Sequence, residues 1–116
     1  MAQPVNFATK NITVTTSVSV AAAVSGKRHR VCHIFYRVKA AGYVQWLSGS
    51  TSLSKVTHAA NDLRDSNITP TAGFFETDVG ATLFVKVTGH AAATTFDVEV
   101  GYVSYFDSVI TKHGHG

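Results

Sequence analysis

The sequence predicts an all-β chain: a single antiparallel β-sandwich, jelly-roll-like, with an extended N-terminal arm. Three observations carry that expectation. Apolar and polar residues alternate with a period of two over several windows, as in half-buried strands. No window of useful length repeats at the helical period. Turn-forming residues recur roughly every 8–12 positions, the spacing of short strands in a sandwich or barrel.

Taken in order, residues 1–10 form the arm, 11–106 the sandwich and 107–116 a flexible C-terminal tail. The arm contains Pro4 and no sustained period. Val5 and Phe7 alternate around Asn6, as in a strand added to a neighbouring subunit or shell. From Asn11 the alternation is clean and predicts one strand, with Ile12, Val14, Val18 and Val20 on one face and Thr13, Thr15, Ser17 and Ser19 on the other.

The stretch Ser25–Thr51 organises the rest. A basic turn leads into a strand from His29 to Lys39; Ala40, Ala41 and Gly42 interrupt it, and a second strand runs from Tyr43 to Leu47. Two such runs around a small-residue break predict a β-hairpin. On its first arm Arg30, Cys32, Ile34, Tyr36 and Val38 are expected to face the core, leaving Phe35 outside between His33 and Arg37. Trp46, the only tryptophan, is expected in the core.

Leu53–Ala60 reads as a weaker strand and Asn61–Thr71 as a loop, with Asp62, Asp65, Asn67 and Pro70 as turn-formers. A short aromatic piece, GFFET, precedes a turn at Asp78–Gly80. Ala81–Thr88 is then a strand with Leu83, Val85 and Val87 on one face, and a turn at Gly89–Thr94 follows. The last strand, Thr95–Tyr105, turns Phe96, Val98, Val100 and Tyr102 one way and Asp97, Glu99 and Gly101 the other.

With 116 residues the chain is one domain, long enough to bury a core without staples. Its 45% apolar and 15% charged composition is globular, and a net charge of +3 falls short of the basic stripe of a nucleic-acid binder. Cys32 is alone, so no intrachain disulfide forms, and a lone cysteine reads as a small buried hydrophobe. The N-terminus lacks the apolar stretch of a signal peptide, and no window reaches the ~18 apolar residues of a membrane helix. Folding in a cytoplasm is the corresponding expectation.

Groups for catalysis are sparse. Cys32 and His33 are adjacent and would point to opposite faces of a strand, which separates a nucleophile from its base. Asp97 and Glu99 share a strand face, where a solvated pair is the plain reading. His113 and His115 with Asp107 or His90 are a weak metal set. The expectation is a non-enzyme with no cofactor and no metal. The run Lys27, Arg28, His29, Arg30 is the one dense positive patch, suited to an acidic surface or to phosphate, or simply solvated.

The order of these pieces resembles small virion proteins of tailed bacteriophages. It comprises GKRHRV, a strand, AAG, a strand ending WLSGSTSL, then HAAND, a proline-bearing loop and GFFETDVGATLFVKVTG. The likeness spans about Ser25 to Tyr102 and rests on Gly26, Lys27, Arg28, Arg30, Gly49, Thr51, Ala59, Ala60, Asn61, Phe75, Glu76, Thr77, Gly80 and Leu83. Phe74 departs from the tryptophan common there, and Arg64–Thr69 is more polar than usual. The resemblance implies a capsid decoration (cement) protein that is part of the virion surface, binds the major capsid protein and assembles as a trimer. Val5, Phe7, Lys27, Arg28, Arg30 and Phe35 are the expected capsid or subunit contacts. A tail, fibre or baseplate module recognising host glycans is the alternative, with Tyr43, Tyr105 and Phe106 as stacking platforms.

Overall fold

One long antiparallel ribbon, rolled over on itself, organises the strands of the described residues. The computed structural model describes residues 5–13, 17–39, 41–88 and 95–106. Its strands are β1 (Asn6–Thr13), β2 (Ser17–Ala21), β3 (Lys27–Arg37), β4 (Gly42–Ser48), β5 (Thr51–His58), β6 (Leu63–Asn67), β7 (Phe75–Glu76), β8 (Leu83–Thr88) and β9 (Thr95–Phe106). The tight turn at Gly49–Ser50 closes the ribbon by pairing β4 with β5; outward from it β3 pairs β6, β2 pairs β8 and β1 pairs β9, all antiparallel.

Rolling the ribbon so that β3 meets β9 and β4 meets β8 makes two facing sheets, ordered β1-β9-β3-β6 and β2-β8-β4-β5, with β7 beside β3 in the first. Leaving the two-residue β7 aside, this nesting of eight strands is a jelly roll. The all-β sandwich expected from alternation is therefore the fold.

The roll corrects four local expectations. β3 and β4 are not a hairpin. They lie in opposite sheets, and Ile34 and Tyr36 meet Val44 and Trp46 in one buried core. A hairpin would have set two strongly apolar faces side by side, whereas crossing between sheets sets them against each other. The run from Asn11 to Val20 is two strands, not one: Ile12 ends in the first sheet and Val18 and Val20 belong to the second. Residues 6–10, expected as a free arm, are the first part of β1 and pair with β9 of the same chain. Residues 1–4 of the expected arm and the tail 107–116 lie outside the described residues. The expected loop 61–71 contains β6, whose polar sequence LRDSN has no apolar alternation to announce it.

A bulge explains a further difference. Between Val31 and His33 the pairing of β3 with β9 slips by one residue. One extra residue exchanges the two faces. Before it His29 and Val31 are buried; after it Ile34, Tyr36 and Val38 are. Arg30, expected inward, faces out. Cys32 sits at the slip, buried as expected; its thiol donates to the Gly101 carbonyl at 3.6 Å, and burial pushes its pKa up.

Candidate binding surfaces

Strand register lays out the outer face of the first sheet as three rungs. In the first, Phe7 opposes Gly101, Gly101 opposes His33 and His33 opposes Asn67. The second rung reads Thr9, Glu99, Phe35, Asp65. The third carries Asn11, whose amide donates to Asp97 at 3.0 Å, and Arg37 opposite Leu63. Phe7 is 65% exposed, Leu63 49% and Phe35 43%, so three large apolar side chains stand among charges. The Phe7 ring meets His33 edge-on at 5.6 Å across Gly101. Any Cβ at Gly101 would come within 2.9 Å of that ring and 2.8 Å of His33 Cβ, so glycine is what lets the two rings close over the strand.

His33 is the electrostatic centre of this face. Its Nε2 lies 2.8 Å from Glu99 Oε1, and its Nδ1 bonds Asn67 Oδ1. Both partners accept, so only the doubly protonated ring satisfies both. Partial burial pulls the His33 pKa down, but Asn67, Glu99 and Asp65 outweigh it and the net shift is upward. A raised folded-state pKa means stabilisation that is complete below the unfolded value of about 6.5 and is lost as pH rises through the folded value. The melting-temperature gap between wild type and His33→Gln is therefore expected to be widest near pH 6 and to narrow toward pH 9. A gap that is flat or widens with pH removes the imidazolium from this account.

The outer face of the second sheet has a different chemistry. Its central rung reads Ser17, Lys86, Gln45, Lys55, and the flanking rungs are uncharged: Ser19, Phe84 and Leu47 on one side, Thr88, Tyr43 and Thr57 on the other. Lys55 Nζ lies 4.0 Å from the centre of the Tyr43 ring.

The basic run 27–30 is dispersed by the bulged strand. His29 is buried; its Nε2–H donates to the Ala22 carbonyl at 2.8 Å, and its Nδ1 is hydrogen-bonded to the Ser104 hydroxyl at 2.7 Å. Arg30 clamps the 69–74 loop. Its Nε donates to Glu76 at 3.1 Å, Nη1 to the carbonyls of Pro70 and Thr71 at 3.3 and 2.8 Å, and Nη2 to the Tyr105 hydroxyl at 2.8 Å. Tyr105 in turn donates to Glu76 at 2.7 Å, and burial first, then Glu76, raises its pKa. Gly73, at φ +66°, presses so closely on this arginine that a Cβ would sit 2.2 Å from Arg30 Cγ. Arg28 Nε is 3.7 Å from Glu76, and its Nη1 donates to the Thr77 carbonyl at 3.1 Å.

At the tip beyond this clamp the β2–β3 turn meets the end of β9. Phe106 is 63% exposed and Val24 43%, and Lys27 Nζ stands 4.9 Å from the centre of the Phe106 ring.

At the opposite margin of the first sheet Tyr36, His58 and Asp62 line up. The Tyr36 hydroxyl is 2.6 Å from His58 Nε2, and His58 Nδ1 is 3.5 Å from Asp62. The order suggests a nucleophile relay, but Tyr36 is buried, and that burial is the main reason its phenol is pushed up, against the opposing pull of Arg64. A phenol held protonated and enclosed is a poor nucleophile. It joins β3 to the end of β5 and seals the gap between the sheets.

The expected contact residues thus fall on separate surfaces. Phe7 and Phe35 share the outer face of the first sheet, whereas Lys27 lies at the tip, Arg28 reaches to Glu76 and Thr77, and Arg30 is inside the clamp. Val5 is half-buried just before β1. Of the expected stacking platforms, Tyr43 is capped by Lys55, Tyr105 belongs to the clamp and Phe106 is open. Among the described residues no three His, Cys, Asp or Glu side chains converge as metal ligands, and the histidine-bearing tail lies outside them. No helix of the described residues is long and apolar enough to cross a membrane. Neither the β6 rung partners nor the burial of His29 follows from the sequence; the one signal for His29 is its place at the start of a strand apolar on both faces.

No family model matches the chain, and no curated protein is similar to it. A chain of the solved structure described as "Bacillus endospore appendages form a novel family of disulfide-linked pili" aligns with 89% of this chain over 91% of its own length. The two are 13% identical, with a TM-score of 0.43, a similarity too slight to bear on function.

Proposed function

We propose that this chain is a virion surface module of a tailed bacteriophage, a capsid decoration protein that docks on the major capsid lattice and stabilises the head. The observation that carries this reading is the tip, where Phe106 and Val24 stand exposed and Lys27 Nζ lies over the Phe106 ring. An exposed aromatic beside a lysine is the composition of an interface anchor. Gly26, Lys27 and Arg28 belong to the segment that resembles small phage virion proteins. Jelly rolls recur in viral coat domains, an analogy of fold rather than of site. Repetition on a lattice supplies avidity, so one small apolar contact per copy is enough.

The test uses phage heads that lack the protein. Wild type is expected to bind them at lattice-scale copy number, and Phe106→Ser combined with Val24→Ser to bind at least tenfold more weakly, about 1.4 kcal/mol, with an unchanged melting temperature. Equal binding by the variant removes the tip as the contact. Binding at a tail part only, or to no part of the particle, overturns the decoration reading.

A further inference from the structure

The central rungs of the two outer faces carry charges of opposite sign in the same geometry. On the first sheet the central rung is Thr9–Glu99–Phe35–Asp65, two carboxylates on strands that flank β3. On the second it is Ser17–Lys86–Gln45–Lys55, two ammonium groups on strands that flank β4. In each rung the like charges lie two strand spacings apart, about 10 Å. From these rungs we propose that copies of this chain stack face to face, the second sheet of one copy lying on the first sheet of the next. The contact rests on strand register and charge alone, and stands whether or not the chain coats a phage head.

The roll makes this match translational. β1 lies against β2 and β8 across the sandwich, and β5 against β7 beside β3, so the two sheets run in the same strand order. A second copy shifted along the sheet normal therefore sets β2 over β1, β8 over β9, β4 over β3 and β5 over β6, and a slide along the strands brings the two charged rungs into line. Lys86 then faces Glu99, Lys55 faces Asp65 and Gln45 covers Phe35. Facing sheets pack about 10 Å apart, a gap that these side chains span. The rungs on either side of Lys86 and Lys55 are uncharged, so His33 and Arg37 meet Leu47 or Tyr43 and no cation. A half-turn about the normal exchanges the two partners and leaves every sign matched.

Opposite faces of one molecule make a heterologous contact, which propagates instead of closing. Exposed ion pairs are weak singly and screened by salt. The association is therefore dilute-labile, salt-sensitive and open-ended.

Sedimentation velocity of the full-length protein tests it. At low salt the mean mass is expected to climb from micromolar to near-millimolar protein without a plateau. Raising salt from about 50 to about 500 mM, which shrinks the screening length to a few ångströms, is expected to weaken association at least fivefold. Lys55→Glu with Lys86→Glu makes both faces acidic, and Asp65→Lys with Glu99→Lys makes both basic. Each double variant alone is expected to stay monomeric, while an equimolar mixture associates again. Because Glu99→Lys also removes a His33 partner, Asp65→Lys and Lys55→Glu serve as a second, milder pair, with circular dichroism reporting the fold. A monomer at every concentration, a trimer of fixed mass, or double variants that associate like wild type would each overturn the proposal.

Discussion

Trp46→Ala is expected to destabilise the fold by about 3–5 kcal/mol, the range for truncating a buried large aromatic. The indole is fully buried on β4, which is paired on both sides by β8 and β5, and its ring lies 5.7 Å from that of Phe75 in the facing sheet. It therefore bridges the layers where neither sheet can move toward the other to fill a cavity. Its Nε1 is buried with no hydrogen-bond partner among the described residues. The loss is then one of packing, and Trp46→Phe, which keeps most of the volume and removes an unpaired donor, is expected to cost less than half as much. Chemical denaturation of the three proteins checks both figures. A Trp46→Ala midpoint within error of wild type would mean that the two sheets are not held together at this ring.

The second large effect is expected at Arg30. Arg30→Met keeps the apolar stem against Gly73 but removes every donor to Glu76, Pro70, Thr71 and Tyr105. Hydrogen bonds from a charged group contribute about 1.5–3 kcal/mol net. Several are lost here, but the partners are part-exposed and water replaces some of them, so about 2–3 kcal/mol is expected. The effect is also local. Amide exchange at Gly73 and Phe74, which donate to Thr69 and Val31, should accelerate much more than exchange in β4. Uniform acceleration across the chain would show that Arg30 supports the whole fold and not the 69–74 loop.

Local pattern was legible wherever one side of a strand meets the core and the other meets water. Val98, Val100 and the outward Glu99 followed from a period of two, as did Leu83, Val85 and Val87. Alternation turns Phe35 outward, as the fold does, because its neighbours after the bulge, Ile34 and Tyr36, are the larger apolar pair. The same alternation turns Arg30 inward, against the fold, because a pattern read across a bulge inverts without any change in composition. β6 is silent in the sequence because an edge strand with Leu63, Asp65 and Asn67 outward and Arg64 and Ser66 inward carries no apolar face.

By itself, the sequence determined the class of fold, the burial of Trp46 and Cys32, and the lack of a long amphipathic helix. Each of these depends on side-chain type and short-range period. The tertiary structure alone decided which strands are neighbours. An apolar strand face is satisfied equally by a hairpin partner's sheet or by a facing one, so β3 followed by β4 reads alike in either arrangement. Rolling of the ribbon made that choice, and with it placed Glu99 beside His33 from 66 residues away, turned a basic run into a loop clamp, and set carboxylates and ammonium groups in matching rungs on opposite faces. Those are properties of long-range register, which no window of sequence contains.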